Sequence, residues 1–214
     1  MPRRPKQPPF TVALFVRHGR TPTTGAVLPG RAPGLHLSDE GTRQAEAAAA
    51  RIAALADVAA VYASPLERAR ETAAPIAKAL GLKVKVDKGL SECDFGDWTG
   101  AALKDLMKLP EWKTVQRYPS GFRFPNGESF NEMQARITST AARLRAQHEG
   151  RTIVLVSHAD PIKAAVADAL GTHLDLFQRI VVSPCSVTAI AYFGEGPAVL
   201  GVNLVGDLTD LKPS

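Results

Sequence analysis

Cysteine is nearly missing from this 214-residue chain, and the two present, Cys93 and Cys185, stand far apart. Isolated thiols build neither a disulfide framework nor a metal-binding pattern, and they suit a reducing, cytoplasmic setting. No H-E-x-x-H string and no closely paired cysteines occur, which points to chemistry needing neither metal nor other cofactor. The G-x-x-x-x-G-K-[ST] string is also missing, which excludes a P-loop nucleotide hydrolase. Apolar runs are short, and none nears the roughly 20 residues that a membrane-spanning helix needs. Aromatics amount to 6% and nowhere interleave with a dense basic run. The net charge of +5 lies largely in Arg3, Arg4 and Lys6 of the opening tail, so nucleic acid is not an expected partner. That basic opening leads into an apolar stretch ending at Arg17 with no small-residue cleavage site, which argues against secretion.

What remains is ordinary globular composition, 45% hydrophobic and 22% charged, at a length that suits one domain with a substantial core. The proline-rich segment 1–9 is expected to be a disordered tail, and 10–214 a single domain. Apolar runs predict buried strands at 11–16, 58–63 and 153–156, a short alternating one at 83–86, and two more at 186–192 and 198–205. Helices are predicted between them. Ser38 reads as an N-cap, with Asp39 and Glu40 in the first turn of an alanine-rich helix to about residue 56. Ser64-Pro65-Leu66-Glu67 reads as a capping box opening a helix to about residue 80, closed by Gly81. A third starts at Ser129, with Met133, Ile137, Ala141 and Leu144 on one face, and a fourth spans about 161–170. Strands alternating with helices predict a three-layer α/β/α fold with a largely parallel sheet and helices on both faces. The irregular stretch 89–127, with short helices near 101–108 and 111–118, is expected to be a lid-like insertion over the active site.

Chemistry enters where strands end. Arg17-His18-Gly19-Arg20-Thr21 follows the first strand directly, and Ser157-His158-Ala159 follows the 153–156 strand. In an open α/β sheet, ligands bind in the crevice outside the carboxyl ends of the strands. Two histidines and an arginine delivered to that edge suit a phosphate oxyanion attacked by an imidazole.

The string V-A-L-F-V-R-H-G-R-T resembles the signature of the histidine phosphatase superfamily, also called the phosphoglycerate-mutase-like family. Further blocks follow in that family's order: Leu37-Ser38 with Gly41; Ser64-Pro65-Leu66 with Arg68 and Thr72; Glu92 with Phe95-Gly96 and Trp98-Thr99-Gly100; Gly127-Glu128-Ser129; and Ser157-His158. Together they run from about Val12 to Asn203. The resemblance implies a phosphomonoester hydrolase in which His18 becomes a covalent phosphohistidine. It makes Arg17 and Arg68 phosphate clamps through paired guanidinium donors. It makes His158 a donor to the transferring oxygens and Glu92 the general acid, then base, with Phe95 and Trp98 as an apolar roof raising its pKa. Gly19, Thr21, Thr24, Arg31, Glu128 and the Ala159 amide form a second tier of expected substrate or phosphate contacts. Departures from the pattern are Thr24 for a usual asparagine, Arg20 for a usual glutamate and Ala159 for a usual glycine.

A mutase is the alternative, but the Arg-His-Tyr-Gly string of the metabolic mutases is here Cys93-Asp94-Phe95-Gly96. A paired-arginine clamp for a substrate carboxylate is not evident. A phospholigand-binding protein without turnover is the less favoured reading, because binding alone needs no nucleophile and acid together. The expected partner is a small phosphorylated metabolite; oligomeric state is not legible in the sequence.

Overall fold

Ala13 and Phe15 face one way along the first strand, Leu14 and Val16 the other, and all four are fully buried. Burial on both faces is what a strand flanked by helices requires. The computed structural model describes residues 10–55 and 57–208; the basic tail at 1–9 lies outside the described residues. In chain order the elements are β1 (Thr11–Arg17), α1 (Asp39–Ala53), β2 (Val58–Ala63), α2 (Glu67–Ala79) and β3 (Val84–Val86). Then follow α3 (Leu103–Leu106), α4 (Trp112–Arg117), α5 (Phe130–Ala146), β4 (Thr152–Ser157), α6 (Ala159–Ala169), β5 (Val187–Phe193) and β6 (Gly196–Leu204).

The six strands form one sheet in the order β3-β2-β4-β1-β5-β6. β3, β2, β4 and β1 pair in parallel, while β5 runs antiparallel to β1 and to β6. Alternation assigns the layers. Leu14, Val16, Val154 and Val156 pack with Ala49 and Ile52 of α1 and with Ala73 and Ile76 of α2. Phe15, Ile153 and Leu155 pack with Met133, Ile137 and Leu144 of α5 and Ile162 of α6. The expected three-layer α/β/α architecture with a mostly parallel sheet is therefore present. The connections leaving β1 and β4 pass onto opposite faces, α1 over one and α6 over the other, which opens a crevice at their carboxyl ends.

Side-chain caps open α1 and α5, whereas α2, α3, α4 and α6 start without one. Ser38 Oγ accepts from Gly41 N at the head of α1. Ser129 and Glu132 form a reciprocal capping box on α5. The capping box expected at 64–67 does not form. α2 begins at Glu67 after Leu66, with no side-chain cap, and the Ser64 hydroxyl instead meets Leu66 N and His158.

The stretch 89–127 is built of short turns and the helices α3 and α4. Several of its aromatics turn inward: Trp98, Phe122 and Phe124 pack ring against ring at 5.0–5.5 Å, and Phe122 and Phe124 continue to Phe130 of α5 and through it to Phe177. The segment is thus largely part of the core rather than a loose cover, and Glu92, Phe95 and Leu103 are what it presents to the crevice. No helix among the described residues is long and apolar enough to cross a membrane.

Candidate active site

Sheet register brings the two histidines together. Arg17 of β1 stands opposite Ser157 of β4, and Ala63 of β2 opposite Val156. Beyond the strands the ladder continues for one step: His18 N donates to Ser157 O and Ser64 N to Val156 O, both at 2.9 Å. His18, Ser64 and His158 consequently emerge side by side, with the two imidazole centroids 5.1 Å apart. Both rings are buried.

The protons on these rings follow from their partners. His18 Nδ1 lies 2.7 Å from Gly19 O. A carbonyl only accepts, so Nδ1 carries the hydrogen and Nε2 presents a lone pair. Burial, then the charges of Arg68 and Arg17, push the His18 pKa down to about 3, so the ring is neutral. His158 Nε2 lies 2.8 Å from Ser64 Oγ, which itself accepts from Leu66 N. In the tautomer in which the Ser64 hydroxyl donates to His158 Nε2, the hydrogen of that ring is on Nδ1. This Nδ1 is buried and has no hydrogen-bond partner among the described residues. Burial and the neighbouring cations hold His158 well below its usual pKa as well.

Two guanidinium groups complete the cationic wall. Arg17 Nη1 donates to Val182 O at 2.7 Å and Arg68 Nη2 to Gly30 O at 2.8 Å. Each is thus anchored at one nitrogen. Arg68 Nε donates towards His18 Nε2 at 3.3 Å. Arg17 Nε and Arg68 Nη1 are buried without a partner among the described residues. Orphaned buried donors are costly. A tetrahedral oxyanion bound against His18 would satisfy these two and His158 Nδ1 at once.

Glu92 follows a 3-10 turn, Lys88–Leu90, packed under α5. Its carboxyl is buried and its Oε1 accepts from Cys93 N at 2.9 Å. Burial first, and then the negative charge of Asp160, push its pKa up to about 7. Asp160 was not singled out by the sequence. An acidic residue in the first turn of a helix reads there as complementing the helix dipole.

Other expected contacts separate into two groups. Thr21, Thr24 and Ala159 line the same cleft of about 210 Å³ as Arg17, His18 and Glu92. Thr24 Oγ1 receives Thr21 N at 2.9 Å, so the threonine at the position of the usual asparagine also closes its own turn. Gly19, Arg31 and Glu128 serve the protein instead of facing the cleft. Gly19 N donates to Thr72 Oγ1, and a Cβ on Gly19 would meet Gly41 O at 2.5 Å. Its lack of a side chain is required by α1, not by a ligand. Arg31 donates to Glu92 O at 2.8 Å and to Glu128 Oε2 at 2.9 Å. Glu128 also receives Arg136 Nε at 2.7 Å and Asp94 N at 3.2 Å. Arg136 in turn reaches the carbonyls of Gly89, Ser91 and Glu92. This brace fixes the backbone that carries Glu92. Trp98 lies in the aromatic core, so of the expected roof only Phe95 lines the cleft. Ser64 as the partner of His158 and Thr72 as the tie between Gly19 and α2 also went unassigned in the sequence, where Ser64 reads as a helix cap and Thr72 as part of a motif block.

The profile of the histidine phosphatase superfamily (branch 1) matches residues 13–205. The chain belongs to this superfamily. A bifunctional protein of Mycobacterium tuberculosis is 35% identical over 206 residues, covering 92% of this chain and 55% of its own length. The chain therefore spans about half the length of that curated relative. Phosphoserine phosphatase 1 of Hydrogenobacter thermophilus is 29% identical over 196 residues, covering 89% of this chain and 91% of its own. Among solved structures, the mycobacterial glucosyl-3-phosphoglycerate phosphatase superposes with a TM-score of 0.81 at 26% identity, covering 91% of this chain and 99% of that one. The histidine phosphatase fold thus extends over nearly the whole described chain.

Proposed function

We propose that this histidine phosphatase superfamily member hydrolyses small phosphomonoesters through a phosphohistidine on His18. The observation that carries the reading is the neutral His18 Nε2, which accepts from Arg68 Nε at 3.3 Å and stands near buried atoms Arg17 Nε, Arg68 Nη1 and His158 Nδ1 that have no partner among the described residues. Phosphoserine and glucosyl-3-phosphoglycerate phosphatases among the similar proteins support the same reaction class.

In the first step His18 Nε2 attacks phosphorus, the N–P bond forms and the ester P–O bond breaks. Glu92, protonated in part at neutral pH, gives its proton to the departing alkoxide. Arg17, Arg68 and His158 Nδ1 stabilise the charge spread over the equatorial oxygens. In the second step the Glu92 carboxylate takes a proton from water, the new P–O bond forms and the N–P bond breaks. Inorganic phosphate leaves and Glu92 is again an acid. Arg68 Nε must move off His18 Nε2 as substrate arrives, exchanging an imidazole acceptor for a phosphate oxygen. The free, buried thiols of Cys93 and Cys185 favour a cytoplasmic setting for this reaction.

The test is acid-free quenching during turnover of a phosphomonoester, followed by peptide mapping. Phosphate release with a transient phosphoryl adduct on His18, both lost in His18→Ala, is the expected result. Undiminished hydrolysis by His18→Ala, or an adduct on another residue, overturns the assignment.

A further inference from the structure

Charge around the cleft is distributed unevenly. Among the described residues that line it, Arg17 is the cation, whereas Glu92 and Asp160 carry the acidic groups. Opposite Asp160 the wall is apolar, made by Val27, Leu28, Pro29, Phe95 and Leu103. This wall is preformed. Leu28 N donates to Ala101 O at 2.9 Å, Gly100 N to Leu28 O at 2.8 Å and Leu103 N to Ala26 O at 2.9 Å, which zips the loop after β1 to the start of α3. Phe95 is held edge-on against Phe124 at 4.9 Å.

Nearby cations already have acidic partners. Arg31 is bound by Glu128 and lies close to Asp94. Lys163 reaches Asp160 Oδ1 at 3.3 Å and Gln178 Oε1 at 3.1 Å, and does not line the cleft. A leaving group carrying a carboxylate would place it between an apolar wall and the Asp160 carboxylate, whose Lys163 partner does not line the cleft. Like charges brought together in a desolvated site repel strongly enough to exclude a ligand. The small cleft also falls below the range of about 300–1,000 Å³ that holds drug-sized ligands.

We infer that the site selects phosphomonoesters of small alcohols that bear no anionic group, with Asp160 acting as the specificity-determining residue that rejects carboxylates. The inference rests on the phosphohydrolase reading above and narrows it to a substrate class. An uncharged alcohol lays its carbon skeleton on the Leu28 and Leu103 wall. An amino alcohol does the same with its ammonium towards Asp160. Sugar acids and phosphorylated amino acids lose that fit at their carboxylate.

Matched pairs that differ in one carboxylate provide the test: glycerol 3-phosphate against 3-phosphoglycerate, and phosphoethanolamine against phosphoserine. Wild-type kcat/KM is expected to favour the first member of each pair by about tenfold or more. Asp160→Asn is expected to narrow both ratios, and taking ratios within one variant cancels any general loss of rate. Equal or better use of the carboxylates by the wild type overturns the inference, as do ratios unchanged in Asp160→Asn. Binding of propylphosphonate against 2-carboxyethylphosphonate, measured by calorimetry, reads the same preference without turnover. Tighter propylphosphonate binding by a protein that hydrolyses nothing would sustain the selectivity while removing the proposed reaction. Tighter binding of the carboxylate by an active enzyme would do the reverse.

Discussion

Arg68 Nε and His18 Nε2 stand 3.3 Å apart, a guanidinium donating to the nitrogen that is to make the bond to phosphorus. The contact requires an unprotonated imidazole, and the full burial of Arg68 keeps the charge where it opposes protonation of His18. Arg68→Lys keeps a charge but loses the paired geometry that spans Gly30 O and the imidazole. We expect kcat/KM to fall by about 100-fold or more, and Tm to drop because Gly30 O loses its donor. Steady-state kinetics with thermal melts check this; near-normal turnover by the lysine variant would contradict the clamp.

The alkaline limb of activity is assigned to Glu92. Protonated Glu92 is needed for departure of the alcohol, so kcat/KM should fall as pH rises through about 7. Asp160→Asn removes a negative charge that favours the protonated form, so the limb should move to lower pH. Burial is the larger cause and remains, so the limb should stay above the usual carboxylate range. A limb shifted upwards by Asp160→Asn would refute the electrostatic account.

Stability should respond to pH in two windows of opposite effect. Glu92 holds its proton more tightly when folded than when unfolded, so the native state binds more protons and loses stability as pH rises through about 7. Glu92→Gln should therefore raise Tm at pH 8 more than at pH 5. His18 and His158 are neutral when folded and basic when unfolded, so stability falls as pH drops below the ordinary histidine value towards about 3, the His18 value. His18→Gln should soften that acid loss. Melting curves across pH decide both signs.

Glu128 holds Arg31 and Arg136, and both arginines hold the Glu92 carbonyl. Glu128→Gln should cost about 1–3 kcal/mol in denaturant unfolding, since two partly buried cations lose their counter-charge. A positioning role makes a further demand. Turnover of esters with poor leaving groups, which need the Glu92 proton, should suffer more than that of aryl esters with good leaving groups. Equal losses on both would reduce Glu128 to a purely structural part.

Phe124 and Phe95 should separate packing from binding. Phe124 is buried in the aromatic core, away from the cleft lining, so Phe124→Ala should destabilise by about 3–5 kcal/mol. Phe95→Ala should raise KM as well, because that ring is part of the cleft wall. KM unchanged by Phe95→Ala would remove the ring from the binding surface.

Much of this was legible in the sequence because it depends on short-range pattern. Apolar runs gave the strands within a residue or two, and strand ends followed by Arg17-His18 and Ser157-His158 marked the crevice. What stayed hidden depends on contacts across long separations. The Arg31–Glu128 pair joins residues 97 positions apart, and nothing local distinguishes either from an exposed charge. Ser64 carries a pattern shared by helix caps and by any hydroxyl needed elsewhere; His158, 94 positions away, decides between them. Trp98, Phe122 and Phe124 have the composition of a ligand roof and the packing of a core, and periodicity in an irregular segment cannot tell the two apart. Asp160 sits where a helix favours an acid for its own sake, which masks its effect on Glu92.

β4 lies between β1 and β2, and neither of those strands pairs with the other. A nascent chain leaving the ribosome therefore carries its nucleophile just after β1 and its Arg68 clamp on α2, just after β2, with the two strands unjoined until residues 152–157 arrive to bridge them. Such late, long-distance closure makes for slow folding, and the half-made protein has no anion pocket with which to capture phosphate early.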